Sequence, residues 1–259
     1  MATVVLDRIA ERIASARVVT VLTGAGISTD SGIPDFRGPQ GLWTRDPAAE
    51  RQATIDAWVA DPELRRQAWQ FRLAHRYTAF PPNRGHQALA ALERLGRVTT
   101  LVTQNVDGLH RDAGTSLDRL VEIHGTMRDV ICLGCGRRTP MSLVLDRVAA
   151  GDDDPHCLAC GGLLKSATIS FGQSLEPADV ERAREAAARA DVFLALGTTL
   201  SVFPVAYLPR IAKDSGAHVV IVNGEPTEQD HVADHVLLGQ LGFVLPALVK
   251  RVERELASA

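Results

Sequence analysis

An apolar, β-branched run that ends in a glycine turn constrains the fold more than any other feature. The run covers residues 17–23 (RVVTVLT), and Gly24-Ala25-Gly26 follow it directly. Such a run is typical of a buried strand in a parallel sheet, and a glycine turn at its end lets backbone N–H groups approach a phosphate. The third glycine of the usual dinucleotide-binding pattern is replaced by Thr29, so the turn alone does not establish a dinucleotide site.

The segment after the turn argues against an ordinary hydride-transfer enzyme. Such an enzyme continues into a helix and a second strand, with an acidic residue about 20 positions on that binds the adenosine ribose. This chain instead has Gly32, Pro34, Gly38, Pro39 and Gly41 in close succession, and glycine and proline interrupt helices. The sequence therefore predicts a long loop, and a long loop beside a nucleotide turn is usually functional.

Further strand and helix patterns alternate along the chain. Strands are predicted at residues 97–103, 191–196, 217–222 and 234–238, and helices at residues 85–95 and 177–190 and from Phe243 onward. This alternation predicts an α/β fold with a doubly wound, Rossmann-like parallel sheet.

The four cysteines of the chain form two closely spaced pairs. Cys132 and Cys135 make one pair and Cys157 and Cys160 the other, each in a glycine-containing knuckle. This pattern is typical of a structural zinc site, in which four thiolates complete the tetrahedron and exclude water. Two disulfides are the alternative, but an intracellular chain of this length does not need them. We predict one structural zinc ion per chain, with His156 as a bystander.

Two inserts in the α/β pattern are expected to form a small second domain. We assign residues 1–37, 84–127 and 167–259 to the Rossmann-like domain, residues 38–83 to a helical insert and residues 128–166 to the zinc-binding insert. Trp58, Trp69, Leu73 and Tyr77 are the expected core of the helical insert. A cleft between two such domains is a common ligand site.

Charge and hydropathy narrow the classes of partner. The net charge is −3, and acidic and basic residues are interspersed, which argues against binding nucleic acid through a basic surface. The first residues form an amphipathic helical pattern. A membrane span needs an apolar run of about 18 residues, and no run in this sequence is that long. We expect a cytoplasmic protein with no membrane or sequence-specific nucleic-acid partner.

Polar residues follow several predicted strands, where a parallel sheet binds its ligands. They are Gln104, Asn105, Asp107, His124, Gly197, Thr198, Thr199, Asn223 and Glu225. Each turn alone could be ordinary turn chemistry, and a lone histidine is more often structural than catalytic. Together they predict one polar site at the carboxyl edge of the sheet.

These motifs, in this order along nearly the whole chain, resemble those of sirtuins, which are NAD-dependent protein lysine deacylases. The matching elements are GAGISTDSGIPDFRG, TQNVDGLH, His124-Gly125, the two cysteine pairs, GTTLSVFPVAYLP and VNGEPT. The resemblance implies a Rossmann-like large domain, a small domain of zinc ribbon and helices, and a cleft that takes NAD and an acyl-lysine peptide. Zinc would have no part in the chemistry.

The resemblance also implies which residues bind NAD. The pyrophosphate end would be bound by Gly24, Ala25 and Gly26, and the nicotinamide end by Ile33, Asp35, Phe36, Arg37 and Asp107. Thr29 would also bind NAD. The nicotinamide ribose would be bound by Gln104 and Asn105, and the adenosine half by Gly197, Thr198, Thr199, Asn223, Glu225 and Leu241. Phe36 would act as an apolar lid that excludes water.

His124 and Asn105 are the expected catalytic residues in the implied mechanism. The acyl oxygen of the substrate lysine attacks the ribose carbon that nicotinamide leaves, which gives an alkylimidate. His124 then acts as general base on a ribose hydroxyl, a role that suits an imidazole with a pKa of about 6.5. The products would be free lysine, nicotinamide and O-acyl-ADP-ribose.

The expected peptide-binding strand departs from the usual family pattern. Sirtuins usually have Lys-Pro-x-Val-Val-x-Phe-Gly-Glu, whereas residues 165–173 here are KSATISFGQ. We expect the peptide to add as a strand, with contacts from Ile169, Phe171, Gly172, Gln173 and Val202. Members that prefer acidic acyl groups carry Tyr-x-x-Arg, and Arg72 and His75 occupy those places. We therefore expect neutral acyl groups, acetyl first, although Arg72 leaves an acidic group open.

Other activities stay open at this point. An NAD glycohydrolase or a mono-ADP-ribosyltransferase could use the same cleft without an acyl-lysine, and an inactive module could bind NAD or acyl-lysine only. The intact His124, Asn105 and Asp107 argue against an inactive module, and Phe171-Gly172 argues for a peptide substrate.

Overall fold

Two sheets provide the framework of the molecule, which is a computed structural model that describes residues 2–35, 41–45, 53–75 and 80–258. The strands are β1 (Val19–Thr23), β2 (Thr100–Thr103), β3 (Leu120–Glu122), β4 (Gly125–Cys132), β5 (Arg138–Pro140), β6 (Leu164–Thr168), β7 (Val192–Leu196), β8 (His218–Asn223) and β9 (His235–Leu238). The larger sheet is parallel and six-stranded, in the order β3-β2-β1-β7-β8-β9. Dinucleotide-binding sheets have the same strand order, and they bind ligands at the point where the direction of the strand order reverses. Here the reversal lies between β1 and β7.

Helices cover both faces of the larger sheet. The α-helices are α1 (Ala2–Ser15), α2 (Leu42–Arg45), α3 (Ile55–Ala60), α4 (Pro62–His75), α5 (Arg84–Arg94), α6 (Leu109–Asp112), α7 (Met141–Ala149), α8 (Pro177–Ala188), α9 (Leu208–Asp214) and α10 (Leu241–Ser258). Because side chains alternate along a strand, Leu194 of β7 packs with α1, α5 and α10, whereas Phe193 packs with α8 and α9. The expected doubly wound α/β fold is confirmed.

The smaller sheet and the helical insert share one core. The order of this antiparallel sheet is β5-β4-β6. Trp58 and Trp69 are buried against apolar side chains of β4, β6 and α7, and the Trp58 indole N–H donates to the Leu164 carbonyl at 3.2 Å. The buried Arg65 guanidinium also binds the Asp154 carboxylate of the zinc insert at 2.8 Å. The two inserts therefore form the expected small domain, although Tyr77 lies outside the described residues.

Strands β4 and β6 connect the two parts of the molecule. Gly125, at the start of β4, pairs with Thr168 at the end of β6. The boundaries proposed at residues 127/128 and 166/167 therefore fall within continuous strands, and the domain division remains a proposal. None of the helices in the described ranges combines the length and apolar character that crossing a membrane requires.

Candidate active site

The glycine turn after β1 lies directly against the turn after β7. The Gly24 N–H donates to the Leu196 carbonyl at 3.0 Å, and the Gly26 N–H donates to the Gly197 carbonyl at 2.9 Å. A Cβ at Gly24 would lie 2.7 Å from the Gly197 oxygen, and Gly197 itself has a φ of +61°. The two backbones can approach this closely because none of the three residues has a side chain. The turn lies at the reversal of strand order, where a nucleotide is expected.

One large cleft begins at this turn and extends to the small domain. Its volume is about 1430 Å³. The predicted site residues that line it are Gly24, Ala25, Gly26, Thr29, Asp35, Gln104, Asn105, His124, Ile169, Phe171, Gly172, Gln173, Gly197, Thr198, Thr199, Val202, Asn223, Glu225 and Leu241. Among the described residues, Ile33 and Asp107 do not line the cleft, and Phe36 and Arg37 lie outside the part of the chain that the structure describes.

His124 lies in the wall of the cleft, just before β4. Its Nδ1 atom is 3.1 Å from the Gln104 carbonyl oxygen, which can only accept a hydrogen bond. Nδ1 therefore carries the proton, and Nε2 is the basic nitrogen. Burial lowers the pKa of His124, and the bond to Gln104 opposes this effect. The imidazole is thus a neutral base at pH 7.

Asn105 is buried at the base of the cleft and is fixed by its amide nitrogen. Nδ2 donates to the Gly24 carbonyl at 3.0 Å and to Ser28 Oγ at 3.1 Å. Neither bond uses Oδ1, the acceptor of this side chain. Ser28 in turn donates to Asp107 Oδ2 at 2.7 Å, and the second Asp107 oxygen accepts the Leu109 N–H at 2.9 Å. In this structure Asp107 acts from behind the cleft wall, by orienting Ser28 and the glycine turn.

A buried pair of histidines extends this network, and the sequence reasoning did not identify it. The rings of His86 and His110 lie 4.9 Å apart, edge to face, and His86 Nε2 is 3.5 Å from Ser28 Oγ. Burial lowers the pKa of His86 to about 4, although Asp107 opposes the shift, and burial lowers that of His110 well below 6.5. Both imidazoles are therefore neutral. The sequence signal for the position of His86 is Asn83, three residues before it. Asn83 caps α5, and its backbone N–H donates to His86 Nδ1.

The side chains of Gln104 and Asn223 organise the turns at the strand ends. Gln104 Nε2 donates to Thr198 Oγ1 at 2.8 Å, which joins the end of β2 to the end of β7. Asn223 Nδ2 donates to the Glu225 carbonyl at 2.8 Å. Four strands thus deliver polar groups to one edge, as the strand-end pattern predicts.

The segment after β6 forms the opposite wall of the cleft. The Ile169 N–H donates to the His124 carbonyl at 2.8 Å, so this segment begins beside the backbone of His124. The Phe171 backbone pairs with residues 53–55, and the Gln173 N–H closes a turn onto the Ser170 carbonyl at 3.0 Å. The Gly172 backbone and Val202 face the same cleft.

Cationic and hydroxyl groups line the end of the cleft at the small domain. The Arg72 guanidinium lies 5.4 Å from the Trp58 ring centroid and 5.5 Å from that of Trp69, and it donates to Ser166 Oγ at 3.3 Å. Burial, with Arg72 nearby, lowers the pKa of Lys165 to about 8. This end is therefore more polar than the family pattern of proline and valine would make it.

The four cysteines form a compact metal site. All four Sγ atoms lie within 4.8 Å of one another, and the thiols are not joined in disulfides. The closest pairs, Cys132 with Cys160 and Cys135 with Cys157, are 3.5 and 3.8 Å apart. A tetrahedron with zinc–sulfur bonds of about 2.3 Å has edges of about 3.8 Å, so the thiols fit zinc. His156 is exposed and binds the Gly161 carbonyl, as expected of a bystander.

Comparison with known proteins places this geometry in a family. The model of the family described as "Sir2 family" matches residues 24–204. The NAD-dependent protein deacetylase 2 of Streptomyces coelicolor is 50% identical over 233 residues, which cover 90% of this chain and 97% of that protein. The NAD-dependent protein deacetylase of Rhodopseudomonas palustris is 42% identical over 246 residues, covering 94% of this chain and 96% of that protein.

Solved structures share the fold over almost the whole chain. One, described as "Structural Basis for the Mechanism and Regulation of Sir2 Enzymes", has a TM-score of 0.86 and 39% identity, covering 96% of this chain and 98% of the other. Another, described as "Sir2-p53 peptide-NAD+", has a TM-score of 0.82 and 30% identity, covering 97% of this chain and 98% of the other.

Proposed function

Because the chain belongs to the Sir2 family, we propose that it is an NAD-dependent protein lysine deacylase that acts first on acetyl-lysine. The observation that carries this function is that the glycine turn, His124 and the segment 169–173 line one cleft. A nucleotide bound at the turn and a peptide bound at this segment therefore meet at the imidazole. Relatives named NAD-dependent protein deacetylases support the same function.

The glycine turn and the strand-end residues are suited to hold NAD. Gly24 and Gly26 offer backbone without obstructing side chains, and Asn105 keeps its Oδ1 acceptor at the base of the cleft. NAD, when bound, supplies the ribose carbon that accepts the acyl oxygen while nicotinamide leaves. Phe36 and Arg37, together with Ile33 and Asp35, remain our proposal for the nicotinamide end.

His124 serves as the general base. The Gln104 carbonyl holds the proton on Nδ1, so Nε2 is left to take a proton from a ribose hydroxyl. The lowered pKa keeps this nitrogen unprotonated at neutral pH. Zinc has only a structural role, because four thiolates leave no coordination position for a reactant.

The acyl-lysine peptide would bind between the segment 169–173 and the loop that contains Val202. A solved relative with a p53 peptide and NAD+ supports a peptide in this cleft. We propose a preference for neutral acyl groups, whereas the cations Arg72 and Lys165 at this end of the cleft would favour an acidic acyl group. We also propose a cytoplasmic location without membrane or specific nucleic-acid partners. The net charge of −3, with acidic and basic residues interspersed, argues against binding nucleic acid through a basic surface.

The test is whether nicotinamide release depends on an acyl-lysine. In a deacylase the acyl oxygen is the nucleophile, so release should be slow with NAD alone and rise strongly with an acetyl-lysine peptide. The same peptide with a free lysine is the matched control. Each lysine freed should match one nicotinamide and one O-acetyl-ADP-ribose.

Two outcomes would contradict the proposal. Equal release with and without every acyl-peptide would indicate an NAD glycohydrolase, because water would then be the acceptor. ADP-ribose that remains attached to protein would indicate a mono-ADP-ribosyltransferase. Succinyl-lysine and acetyl-lysine peptides compared in the same assay decide the acyl preference.

A further inference from the structure

An exposed aromatic pair lies beside the peptide-binding part of the cleft. Phe203 and Tyr207 have 54% and 55% of their surfaces exposed, and their ring centroids are 4.5 Å apart. Phe203 directly follows Val202 and lines the cleft itself. Neither ring has a role in the proposed NAD binding or chemistry.

Apolar side chains of two other segments continue this surface. Leu175 and Val180 line the same cleft as Phe203. Leu175 packs against the buried cluster that contains Val205 and Leu208, which lie within a few residues of Phe203. Helices α8 and α9, which flank these segments, also pack against each other. The side chains of Leu175, Val180 and Phe203 therefore form one apolar wall of the cleft.

The charge of this wall favours apolar recognition. Among the described residues that line the cleft from Phe171 to Pro204, none carries a formal charge. Glu176 and Asp179 are next to Leu175 and Val180 in the sequence but do not line the cleft, and Arg210 is paired with Asp214 at 2.9 Å. The cationic end of the cleft, at Arg72 and Lys165, belongs to the acyl group instead.

We propose that Phe203, supported by Tyr207 and together with Leu175 and Val180 of the same cleft, forms a subsite for a large apolar side chain adjacent to the acyl-lysine. This inference rests on the proposed function, because it requires a peptide in the cleft. The wall continues directly from Gly172 and Val202, between which the peptide would bind. A leucine or phenylalanine of the substrate would remove the exposed Phe203 ring from water, and such burial is favourable.

The experiment compares acetyl-lysine peptides that differ at one position. Glycine, serine, leucine, phenylalanine or arginine is placed in turn at each of the two positions on either side of the acetyl-lysine. At one of these positions, leucine or phenylalanine should raise kcat/KM at least about tenfold over glycine, mainly through KM, since differences of this size are usual for an apolar pocket.

Variants of Phe203 connect this preference to the wall. Phe203→Ala should reduce the preference to less than about threefold, whereas Phe203→Leu should retain most of it. Phe243→Ala is the matched control, because Phe243 is 64% exposed and lies outside the cleft lining. This control should keep the full preference.

Several results would overturn the subsite. They are equal kcat/KM for all peptide side chains tested, a preference for arginine, or a loss of kcat/KM in Phe203→Ala that is equal for every peptide, including the glycine peptides. Anisotropy of the same peptides with a fluorescent label measures binding directly. If no acyl-peptide were turned over, the proposed function would fail, and the labelled peptides would still decide whether the wall binds apolar side chains.

Discussion

Replacing His86 with asparagine would test whether a buried neutral imidazole makes the fold sensitive to mild acid. His86 is fully buried in the folded protein, and burial lowers its pKa from 6.5 to about 4. In the unfolded chain the imidazole returns to a pKa of about 6.5. The unfolded state therefore binds the proton more tightly, so protonation favours unfolding.

The two pKa values define the pH window and the size of the effect. Above about pH 6.5 neither state is protonated, and the effect is absent. As the pH falls below 6.5 the unfolded state takes up the proton first, and stability is lost until the folded state is also protonated near pH 4. Linkage over this interval gives a loss of about 2 kcal/mol between pH 7.5 and 5 for His86 alone. His110 acts with the same sign because burial lowers its pKa as well.

Urea unfolding followed by circular dichroism measures this loss. Between pH 5 and 6 the free energy of unfolding of His86→Asn should depend on pH less steeply than that of the wild type, by about 1 kcal/mol per pH unit. His231→Asn, at an exposed position, is the control for removing an imidazole from the surface. Equal slopes for wild type and His86→Asn would refute the reasoning, as would an NMR titration of folded His86 with a midpoint near 6.5.

Two further variants test the metal site and the base. Cys160→Ala removes one of four zinc ligands, so the zinc content should fall below one ion per chain. The midpoint of thermal unfolding should fall by about 10 °C or more. Metal analysis that finds no zinc in the wild type would contradict this prediction. His124→Asn should lower kcat about 100-fold or more with NAD affinity retained by calorimetry. In the wild type, kcat should fall only below about pH 6.5, because the lowered pKa keeps His124 neutral above that pH. Near-normal turnover in His124→Asn would show that His124 has only a structural role.

The parallel sheet could be predicted from sequence because its strands are buried on both faces. Continuous apolar runs such as residues 17–23 and 191–196 correspond to β1 and β7, and the polar turns after them share one edge. The short strand β3 was not predicted. The antiparallel pairing of β4 with β6 was not predicted either, because residues 125–132 and 164–168 mix polar and apolar residues without regular alternation.

The contacts behind the cleft wall could not be predicted, because they join positions far apart in sequence. Ser28 contacts His86 across 58 positions and Asp107 across 79, and only the packing of α5 beside the glycine turn brings them together. Gly125 is constrained by another contact of this kind, because a Cβ there would collide with the Ala167 carbonyl where β4 meets β6.

The shared core of the two inserts has a consequence for folding during synthesis. Arg65 cannot form its ion pair until Asp154, which lies 89 positions later in the chain, has been synthesised. In the same way, Trp58 cannot form its hydrogen bond until Leu164 has been synthesised. At translation rates of about 5–20 residues per second, this delay is roughly 4–18 s. Throughout that interval Trp58, Trp69 and Arg65 lack the partners that bury them in the folded protein, so the nascent helical insert exposes apolar surface and an unpaired cation. The small domain is thus completed late and only as a unit, after most of the chain has left the ribosome.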